Sequence, residues 1–440
     1  MDAAAVAVVP AGRFARAKRW SGIFAAYFST QTVTQLAGIA AGLLLVRALP
    51  VREFALYTLA VSVVGMFTFL TDLGSTGSLL HFFHREQGGA AFEPYRQAVL
   101  SLRRGAFLLG ALAVVAVFPA AAAAEGFGAR ESLPVVAGIL LCVWFQIDSS
   151  LRLLMLRLED RYGRSYRAEL AGALLRLGAT ALLVALAWLE AWLAILATAA
   201  GTALAVRLAA PPHDRAGGGE NAADAAESLP LATYRRRVLR FLLPTLPGAL
   251  YFAFQGPLVV WLAAAFGAAR TIAEVGALGR LGLIVGLFSG LTGVVFLPRL
   301  ARIGDDRLYL RRYLQFGALL AAVALALVLV AWATPGPFLW LLGERYAGLN
   351  RELLLVVAGA GLHLLDGYAV AVNMARSWTR WQGAAVATLV AAQAVLVVLL
   401  PLSTTAGVLR FGLLSAAFAL AGQAAIAGLG FTRPRWVAWE

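Results

Sequence analysis

Two arginines lie deep within apolar stretches of the sequence, Arg176 in "AGALLRLGATALL" and Arg280 in "VGALGRLGLIVG". Each is about eight residues from the nearer end of its stretch, which corresponds to roughly 12 Å along a helix. A guanidinium at that depth in hydrocarbon needs water, an anion or a counter-charge. The pattern favours a stepped path of cationic contacts for an anionic molecule. Snorkelling towards the membrane surface and an internal ion pair are the alternatives.

Carboxylates in other apolar stretches are candidate ion-coupling groups, or structural partners for these arginines. Asp148 and Glu169 lie within or near the ends of such stretches, and Asp366 follows His363 by three residues. On a helix that spacing places both side chains on one face. The pair could relay a proton, or the two groups could satisfy each other.

Asp72 opens the segment "DLGSTGSLLHFFHREQG" (72–88), where an apolar run ends. The closest hydroxyl by spacing is that of Ser75, at i+3. We expect Asp72 to face the interior of its helix bundle, where it pairs with an arginine or accepts hydrogen bonds from hydroxyls. A substrate contact and a proton- or ion-coupling role are the alternatives to this structural role.

Three glutamines are candidates for lining a polar cleft. Gln31 and Gln35 share one face of the first apolar stretch at i, i+4, and Gln255 lies in the seventh stretch, the first of the second half. Their amides could hydrogen-bond the hydroxyls of a polar ligand. The alternative is that they join neighbouring helices.

Metal binding, disulfide bonding and covalent catalysis are not indicated. His81 and His84 have a metal-ligand spacing, but they lie at a predicted membrane edge, where interfacial anchoring is expected and two ligands would be an incomplete site. The single Cys142 cannot form a disulfide within the chain. No nucleophile elbow, phosphate-binding loop or zinc motif occurs, so we expect no ATP hydrolysis, catalytic residue or cofactor.

The elements that carry these residues are membrane helices. Hydrophobic residues make up 61% of the chain and charged residues 14%, and the mean hydropathy is +0.79; these values lie outside the range of soluble globular proteins. A net charge of +14 would suggest nucleic-acid binding in a soluble chain, but here the arginines lie between apolar stretches. We expect an all-α integral membrane protein with no nucleic-acid partner.

About twelve stretches contain the roughly 20 apolar residues that a spanning helix needs. They are 21–46, 54–80, 105–124, 134–156, 168–188, 190–209, 241–265, 272–298, 313–333, 351–373, 383–403 and 407–430. If the basic N-terminal segment is cytoplasmic, alternate loops hold about 28 of the 37 basic residues and the opposite loops about seven. This positive-inside pattern predicts that both termini are cytoplasmic. The first stretch is too long for a cleavable signal and is predicted to be a retained anchor.

The twelve stretches fall into two sets of six, separated by "PPHDRAGGGENAADAAESLP" (211–230), a composition typical of a flexible linker. Weak self-similarity at an offset near 218 residues indicates two parallel repeats, an arrangement that many transporters use with a substrate path between the halves. The predicted parts are a cytoplasmic segment 1–20, an N-terminal lobe 21–209, a cytoplasmic linker 210–240, a C-terminal lobe 241–430 and a cytoplasmic tail 431–440.

A hinge is predicted where the seventh stretch begins. Pro244, Pro247 and Gly248 lie in "RFLLPTLPGALYF" (240–252). Proline removes a backbone donor and bends a helix, which suits a motion that opens or closes a central cavity.

Two segments resemble the sequence motifs of polysaccharide flippases. In 47–83 the pattern Arg-x-Leu-x-x-x-Glu-Phe-Gly-x-Tyr and a later Asp-Leu-Gly are matched by Arg47, Leu49, Glu53, Phe54, Tyr57, Asp72, Leu73 and Gly74, with Ala55 in place of the glycine. The segment "LLGERYAGLNREL" (341–353) is similar to Phe-Gly-x-x-Tyr-x-x-Ala, with Glu344, Arg345 and Tyr346 in place. The chain thus resembles the Wzx-type O-antigen and exopolysaccharide flippases of the multidrug/oligosaccharidyl-lipid/polysaccharide (MOP) exporter superfamily.

This resemblance implies a V-shaped pair of six-helix lobes and a transport activity. Such a protein moves a polyprenyl-pyrophosphate-linked oligosaccharide from the inner to the outer leaflet of the bacterial cytoplasmic (inner) membrane, by alternating access through a central cationic cavity, for lipopolysaccharide or exopolysaccharide synthesis. Membrane lipids and the polysaccharide polymerase machinery are the implied partners, and a monomer is the implied form.

Two other classes are alternatives. A proton- or sodium-coupled multidrug/cation antiporter of the same superfamily needs a buried acid at its cation site, whereas buried arginines favour an anionic cargo. A membrane glycosyltransferase or polymerase is expected to carry a large polar outer loop, but the longest one predicted here, 334–350, has only about 17 residues.

Overall fold

The computed structural model describes residues 13–86, 92–210, 230–243, 246–292, 296–300, 303–376, 378 and 380–432. Within these ranges the regular elements are helices, which confirms the all-α class predicted from the apolar stretches. The predicted flexible linker 211–230 lies almost wholly outside the described residues, as do most of the predicted terminal segments.

Along the chain the helices are described in an N-terminal and a C-terminal set. The first set is α1 (Arg13–Ala48), α2 (Val51–Asp72), α3 (Ser75–Arg85), α4 (Glu93–Ala124), α5 (Ala129–Leu158), α6 (Tyr162–Ala185) and α7 (Ala191–Ala209). After α8 (Leu231–Leu242), the second set is α9 (Leu246–Phe266), α10 (Ala269–Gly286), α11 (Ser289–Leu291), α12 (Leu297–Leu300), α13 (Asp306–Ala333), α14 (Pro335–Leu342), α15 (Asn350–Ala375), α16 (Gln382–Leu399) and α17 (Thr405–Thr432).

Eleven helical spans in the described part of the chain are long and apolar enough to cross a membrane, so this is a multi-pass membrane protein. The predicted span 272–298 is not among them, because α10 ends at Gly286 and a turn at Leu287 and Phe288 interrupts the stretch. α10 has 18 residues and carries Arg270, Glu274 and Arg280. Its charge content, together with the glycines that follow it, explains why this stretch is not one continuous apolar helix.

The predicted span 54–80 also has an internal break. α2 ends at Asp72, and Leu73 and Gly74 take left-handed conformations with φ of 41° and 81° before α3 begins. The Leu73 N–H bonds to the Phe69 carbonyl, which closes the last turn of α2. A left-handed residue at this position is a common helix terminator. Glycine follows immediately because it adopts positive φ without steric cost.

The predicted linker differs from the structure in one respect. α8 is a helix within the predicted linker 210–240, and it lies on the N-terminal lobe: Arg237 donates to the Tyr95 hydroxyl at 2.9 Å, and Val238 is fully buried. α9 is described from Leu246, and the hinge at Pro244, Pro247 and Gly248 stays a prediction. Pro244 lies outside the described residues, and a Cβ at Gly248 would meet open space.

The two lobes meet along α2, α9 and α10. A Cβ added to Gly276 would lie only 2.4 Å from Thr58 Oγ1, so α10 approaches α2 more closely than any larger residue would permit. Beside this contact, Trp261 Nε1 donates to Ser62 Oγ at 2.9 Å. The seam places α1 and α2 of one lobe opposite α10 of the other, around a central cavity.

Candidate central cavity and its neighbours

A cavity of about 370 Å³ lies between the lobes, enclosed by α1, α2, α6, α7 and α10. Its polar lining residues are Thr34, Gln35, Tyr57, Arg176, Thr180, Thr198 and Arg280. No carboxylate is among the lining residues of this described space. We call it the central cavity; its lining carries two formal positive charges.

The structure brings the two predicted arginines into this one cavity, Arg176 from α6 of the N-terminal lobe and Arg280 from α10 of the C-terminal lobe. Both lie against α1. A Cβ added to Gly38 would be 2.6 Å from Arg176 Nη2, and one added to Gly42 would be 3.1 Å from Arg280 Cδ. Two glycines one helical turn apart therefore give the two arginine side chains their space.

Neither arginine charge is neutralised within the described part of the chain. Their Nε atoms are buried without a hydrogen-bond partner, and neither residue forms an ion pair with a described carboxylate. The guanidinium carbon of Arg280 lies 5.6 Å from the centroid of the Tyr57 ring, a cation–π distance. The two guanidinium groups thus face one cavity and are able to bind an anion there.

A second cavity, of about 290 Å³, adjoins the first and shares Thr34, Arg176 and Thr198 with it. It lies inside the N-terminal lobe between α1, α5, α6 and α7, and we call it the N-lobe cavity. Its other polar lining residues are Gln31, Gln146, Ser149, Glu169 and Thr202. The two cavities are adjacent and together form one polar region. Arg176 lines both of them.

The three predicted glutamines are distributed over three places. Gln35 lines the central cavity and Gln31 lines the N-lobe cavity. Gln255 departs from the expectation that it faces the central cavity: it lines a small cavity within the C-terminal lobe, between α9, α15, α16 and α17. The physical reason is the rotation of α9, which turns Trp261 towards α2 and Gln255 towards its own lobe.

The cavity in the C-terminal lobe has a volume of about 20 Å³ and is lined by Asp366, Tyr251 and Gln255, among others. Asp366 Oδ1 is buried without a hydrogen-bond partner. His363, three residues earlier, is exposed, and no hydrogen bond joins it to Asp366 among the described residues. The carboxylate is thus directed at a space that holds about one water-sized group.

Asp72 lies in a polar network at the break between α2 and α3. Its Oδ1 accepts hydrogen bonds from Arg103 Nη2, from Ser75 Oγ at 3.1 Å and from Thr76 Oγ1 at 2.8 Å. Arg103 is only 2% exposed and also donates to Ser75 Oγ and Ser150 Oγ, both at 2.7 Å. The network joins α2, α3, α4 and α5, an arrangement that favours the structural role among those predicted for Asp72.

Arg103 is a partner that the sequence analysis did not identify. The predicted third span begins at 105, so Arg103 was counted with the loop charges. In the structure α4 begins at Glu93, about three turns earlier, and Arg103 faces the bundle interior. The signal for a longer helix was Pro94, because proline is favoured in the first turn of a helix.

The other predicted acids are paired near one end of the N-terminal lobe. Asp148 lies 3.2 Å from Arg152 on the same helix, and both side chains are about one third exposed. Glu169 pairs with Arg157 across α5 and α6. Each of these two carboxylates therefore has an arginine partner within the protein.

The two segments that resemble flippase motifs lie against each other. Arg47 Nε donates to the Leu341 carbonyl at 3.0 Å, and its guanidinium carbon lies 4.4 Å from the Trp340 ring centroid. In return, Arg345 Nη1 donates to the Leu49 carbonyl at 2.7 Å. Each arginine therefore hydrogen-bonds the end of a helix in the opposite lobe, and we call these reciprocal contacts the inter-lobe latch.

Gly38, Gly42 and Gln146 are further residues that the sequence analysis did not single out. The available signal for the glycines was their i, i+4 spacing after Gln35 in "QLAGIAAG". A small-residue pair of this kind indicates close approach of another element. Which element approaches depends on the packing of α6 and α10 against α1.

No family model and no curated protein matches the chain, but solved structures share its fold. The inward closed conformation of the lipid II flippase MurJ superposes with a TM-score of 0.72 at 11% identity, covering 91% of this chain and 87% of that one. An inward-facing multidrug resistance MATE family transporter of the MOP superfamily gives 0.62 at 14% identity, covering 91% and 96%. A eukaryotic MATE transporter gives 0.56 at 12% identity, covering 95% and 94%. The fold of this chain is therefore the one that MurJ and the MATE transporters share.

Proposed function

We propose that this protein is a flippase that moves a polyprenyl-pyrophosphate-linked oligosaccharide across the bacterial cytoplasmic membrane for surface polysaccharide synthesis. The observation that carries the proposal is the pair of unneutralised arginines, Arg176 and Arg280, that the two lobes contribute to one cavity. A cavity with two positive charges and no lining carboxylate favours an anionic cargo.

The chemistry of a pyrophosphate matches this pair. Guanidinium groups bind phosphate oxygens through charge-assisted, often bidentate hydrogen bonds. Arg176 and Arg280 belong to different lobes. An anion bound by both therefore stabilises the arrangement of the lobes in which the two arginines lie close together. When the lobes rock against each other, the two arginines separate and the anion is released. This sequence of binding, rocking and release is an alternating-access mechanism.

Further support comes from the fold and the motifs. The fold is shared with a protein described as a lipid II flippase, and the motifs around Arg47 and Arg345 resemble those of polysaccharide flippases. The remaining parts of the proposal are a bacterial inner-membrane location, a monomeric form and a polymerase as the acceptor of the translocated oligosaccharide.

A multidrug/cation antiporter is the second candidate, and Asp366 is the observation that favours it. Its cavity of about 20 Å³ admits one water-sized ion but not an organic cation. Asp366 therefore fits a coupling role for a proton or a small cation within the flippase better than a drug-binding role.

The test uses a strain that lacks this protein, in which lipid-linked oligosaccharide and surface glycan are quantified together. We expect the lipid-linked repeat unit to accumulate and surface glycan to disappear. Complementation with Arg176→Ala or Arg280→Ala is expected to leave less than about a tenth of the glycan at unchanged protein abundance, and Arg→Lys to restore it partly, because lysine keeps the charge but not the bidentate contact.

The matched control is Arg410→Ala, which removes an exposed arginine of α17 outside the cavities. Full glycan with both cavity variants would overturn the proposal. Unchanged glycan in the deletion strain, with increased sensitivity to cationic drugs, would establish the antiporter instead.

A further inference from the structure

The N-lobe cavity differs in chemistry from the central cavity that it adjoins. Beyond the shared Arg176, its lining includes the neutral polar side chains of Gln31, Gln146, Ser149 and Thr202. Its single carboxylate, Glu169, is already paired with Arg157. The cavity is therefore a neutral polar space that extends away from a cationic one.

Neutral amide and hydroxyl groups suit a sugar better than a phosphate. A carboxamide donates and accepts hydrogen bonds, as does each hydroxyl of a sugar, whereas a phosphate only accepts. Gln31 and Gln146 make no side-chain hydrogen bond to another described residue, so both amides are available. A volume of about 290 Å³ lies near the lower end of ordinary ligand pockets, roughly 300–1,000 Å³.

The floor of this cavity is held in place by a close helix crossing. A Cβ on Gly172 would lie 2.6 Å from the Gly201 carbonyl oxygen, so α6 and α7 touch through their backbones. This contact removes side-chain bulk from one wall and leaves the space between α1 and α5 open. The cavity is thus a consequence of packing and not a gap between mobile segments.

We propose that the N-lobe cavity binds the sugar residue attached directly to the pyrophosphate, while Arg176 and Arg280 hold the pyrophosphate itself. This inference rests on the proposed function. The sharing of Arg176 by both cavities supports it, because a phosphate bound there carries its first sugar into the adjoining space. The class of ligand is a neutral hexose or N-acetylhexosamine, bonded by Gln31, Gln146 and Ser149.

The experiment measures binding to the purified full-length protein in lipid nanodiscs with two probes: a polyprenyl pyrophosphate, and the same lipid carrying one N-acetylglucosamine. We expect Gln146→Leu to weaken binding of the glycosylated probe roughly tenfold, the effect of losing one or two hydrogen bonds in a desolvated site. Binding of the sugar-free probe is expected to stay unchanged. Gln315→Leu, the same change at an exposed position of α13, is the control.

A second variant keeps the test decisive if Gln146→Leu fails to fold. Ser149→Ala removes one hydroxyl with almost no change in volume, and we expect a loss of roughly fivefold for the glycosylated probe only. Equal losses for both probes, or no loss for either with both variants, would overturn the sugar assignment. Arg176→Ala tests the proposed function separately, because it is expected to weaken both probes.

Discussion

Arginines inside the helix bundle occur in two different settings in this protein, and we expect the setting to indicate the role. Arg103 is surrounded by Asp72 and by hydroxyls, so its charge is satisfied inside the fold. Arg176 and Arg280 have buried Nε atoms without partners. Since an uncompensated buried charge costs several kcal/mol, we expect the pairing of Arg103 to stabilise the fold, whereas Arg176 and Arg280 are available to an anionic ligand.

At the residue scale we therefore expect Asp72→Asn to act on stability and not on transport. The change leaves the Arg103 charge without its carboxylate and is expected to cost about 3 kcal/mol, at the low end for buried pairs, because the Asp72 side chain is 33% exposed. Thermal unfolding in detergent measures this loss.

The matched control is Asp148→Asn, which breaks a partly exposed pair with Arg152 worth under about 1 kcal/mol. Glycan export per molecule of folded Asp72→Asn protein is expected to equal that of the wild type. Lost export at full abundance and unchanged melting temperature would contradict the structural role.

At the scale of the helices, glycines determine where cavities can exist. Gly38 and Gly42 on α1 make room for the arginine side chains, and Gly172 and Gly201 allow α6 and α7 to touch. Each of these glycines lies inside a helix, where it costs roughly 1 kcal/mol relative to alanine. Helix packing and cavity shape, and not backbone flexibility, explain why glycine is present.

We expect Gly201→Ala to separate α6 from α7 and to disturb both cavities. The added Cβ would lie 2.4 Å from the Gly172 carbonyl oxygen and 3.2 Å from Arg176 Cβ, an overpacking that costs about 1–3 kcal/mol. Gly178→Ala on α6 is the control, because a Cβ there meets nothing within 4 Å. Melting temperatures in detergent should fall for the first variant and not for the second; equal values would disprove the close crossing.

At the scale of the whole molecule, the inter-lobe latch joins the two lobes at one end of the helix bundle. The distribution of arginines predicts that this end faces the outside of the membrane. Arg47 and Arg345 donate to carbonyls at the C-terminal ends of α14 and α1. The partial negative charge of a helix C-terminus favours such cationic contacts. Because the acceptors are carbonyls and not carboxylates, the latch has no titrating acid.

We expect the double variant Arg47→Ala, Arg345→Ala to shift the population towards forms in which the lobes part at this end. Spin labels on cysteines at the exposed positions 188 and 351, with Cys142→Ser, report the inter-lobe distance by double electron–electron resonance. The distribution should gain a longer component. Arg52→Ala is the control, since Arg52 pairs with Glu131 within one lobe. A distribution identical to that of the wild type would show that the latch does not hold this state.

Properties that depend on local composition were predictable from the sequence. The membrane helices follow from apolar runs longer than about 20 residues, and the two sets of helices follow from the polar interval around 211–230. Arg176 and Arg280 were recognisable because a charge within an apolar run is rare. The motif resemblance correctly pointed to the fold, which this chain shares with MurJ and a MATE transporter.

Properties that depend on helix rotation and on contacts between distant segments were decided by the tertiary structure. Gln31, Gln35 and Gln255 look alike in sequence, yet they line three different cavities. Gln31 and Gln35 lie one turn apart along α1 and so reach adjacent cavities, whereas Gln255 on α9 lines a cavity within its own lobe. The meeting of Arg176 with Arg280 joins residues about a hundred positions apart. A hydrophobicity pattern specifies that a helix crosses the membrane. In lipid, however, both the lipid-facing side and the protein-facing side of a helix are apolar. The pattern therefore does not specify the orientation of the helix or its neighbours, which the packing of side chains decides.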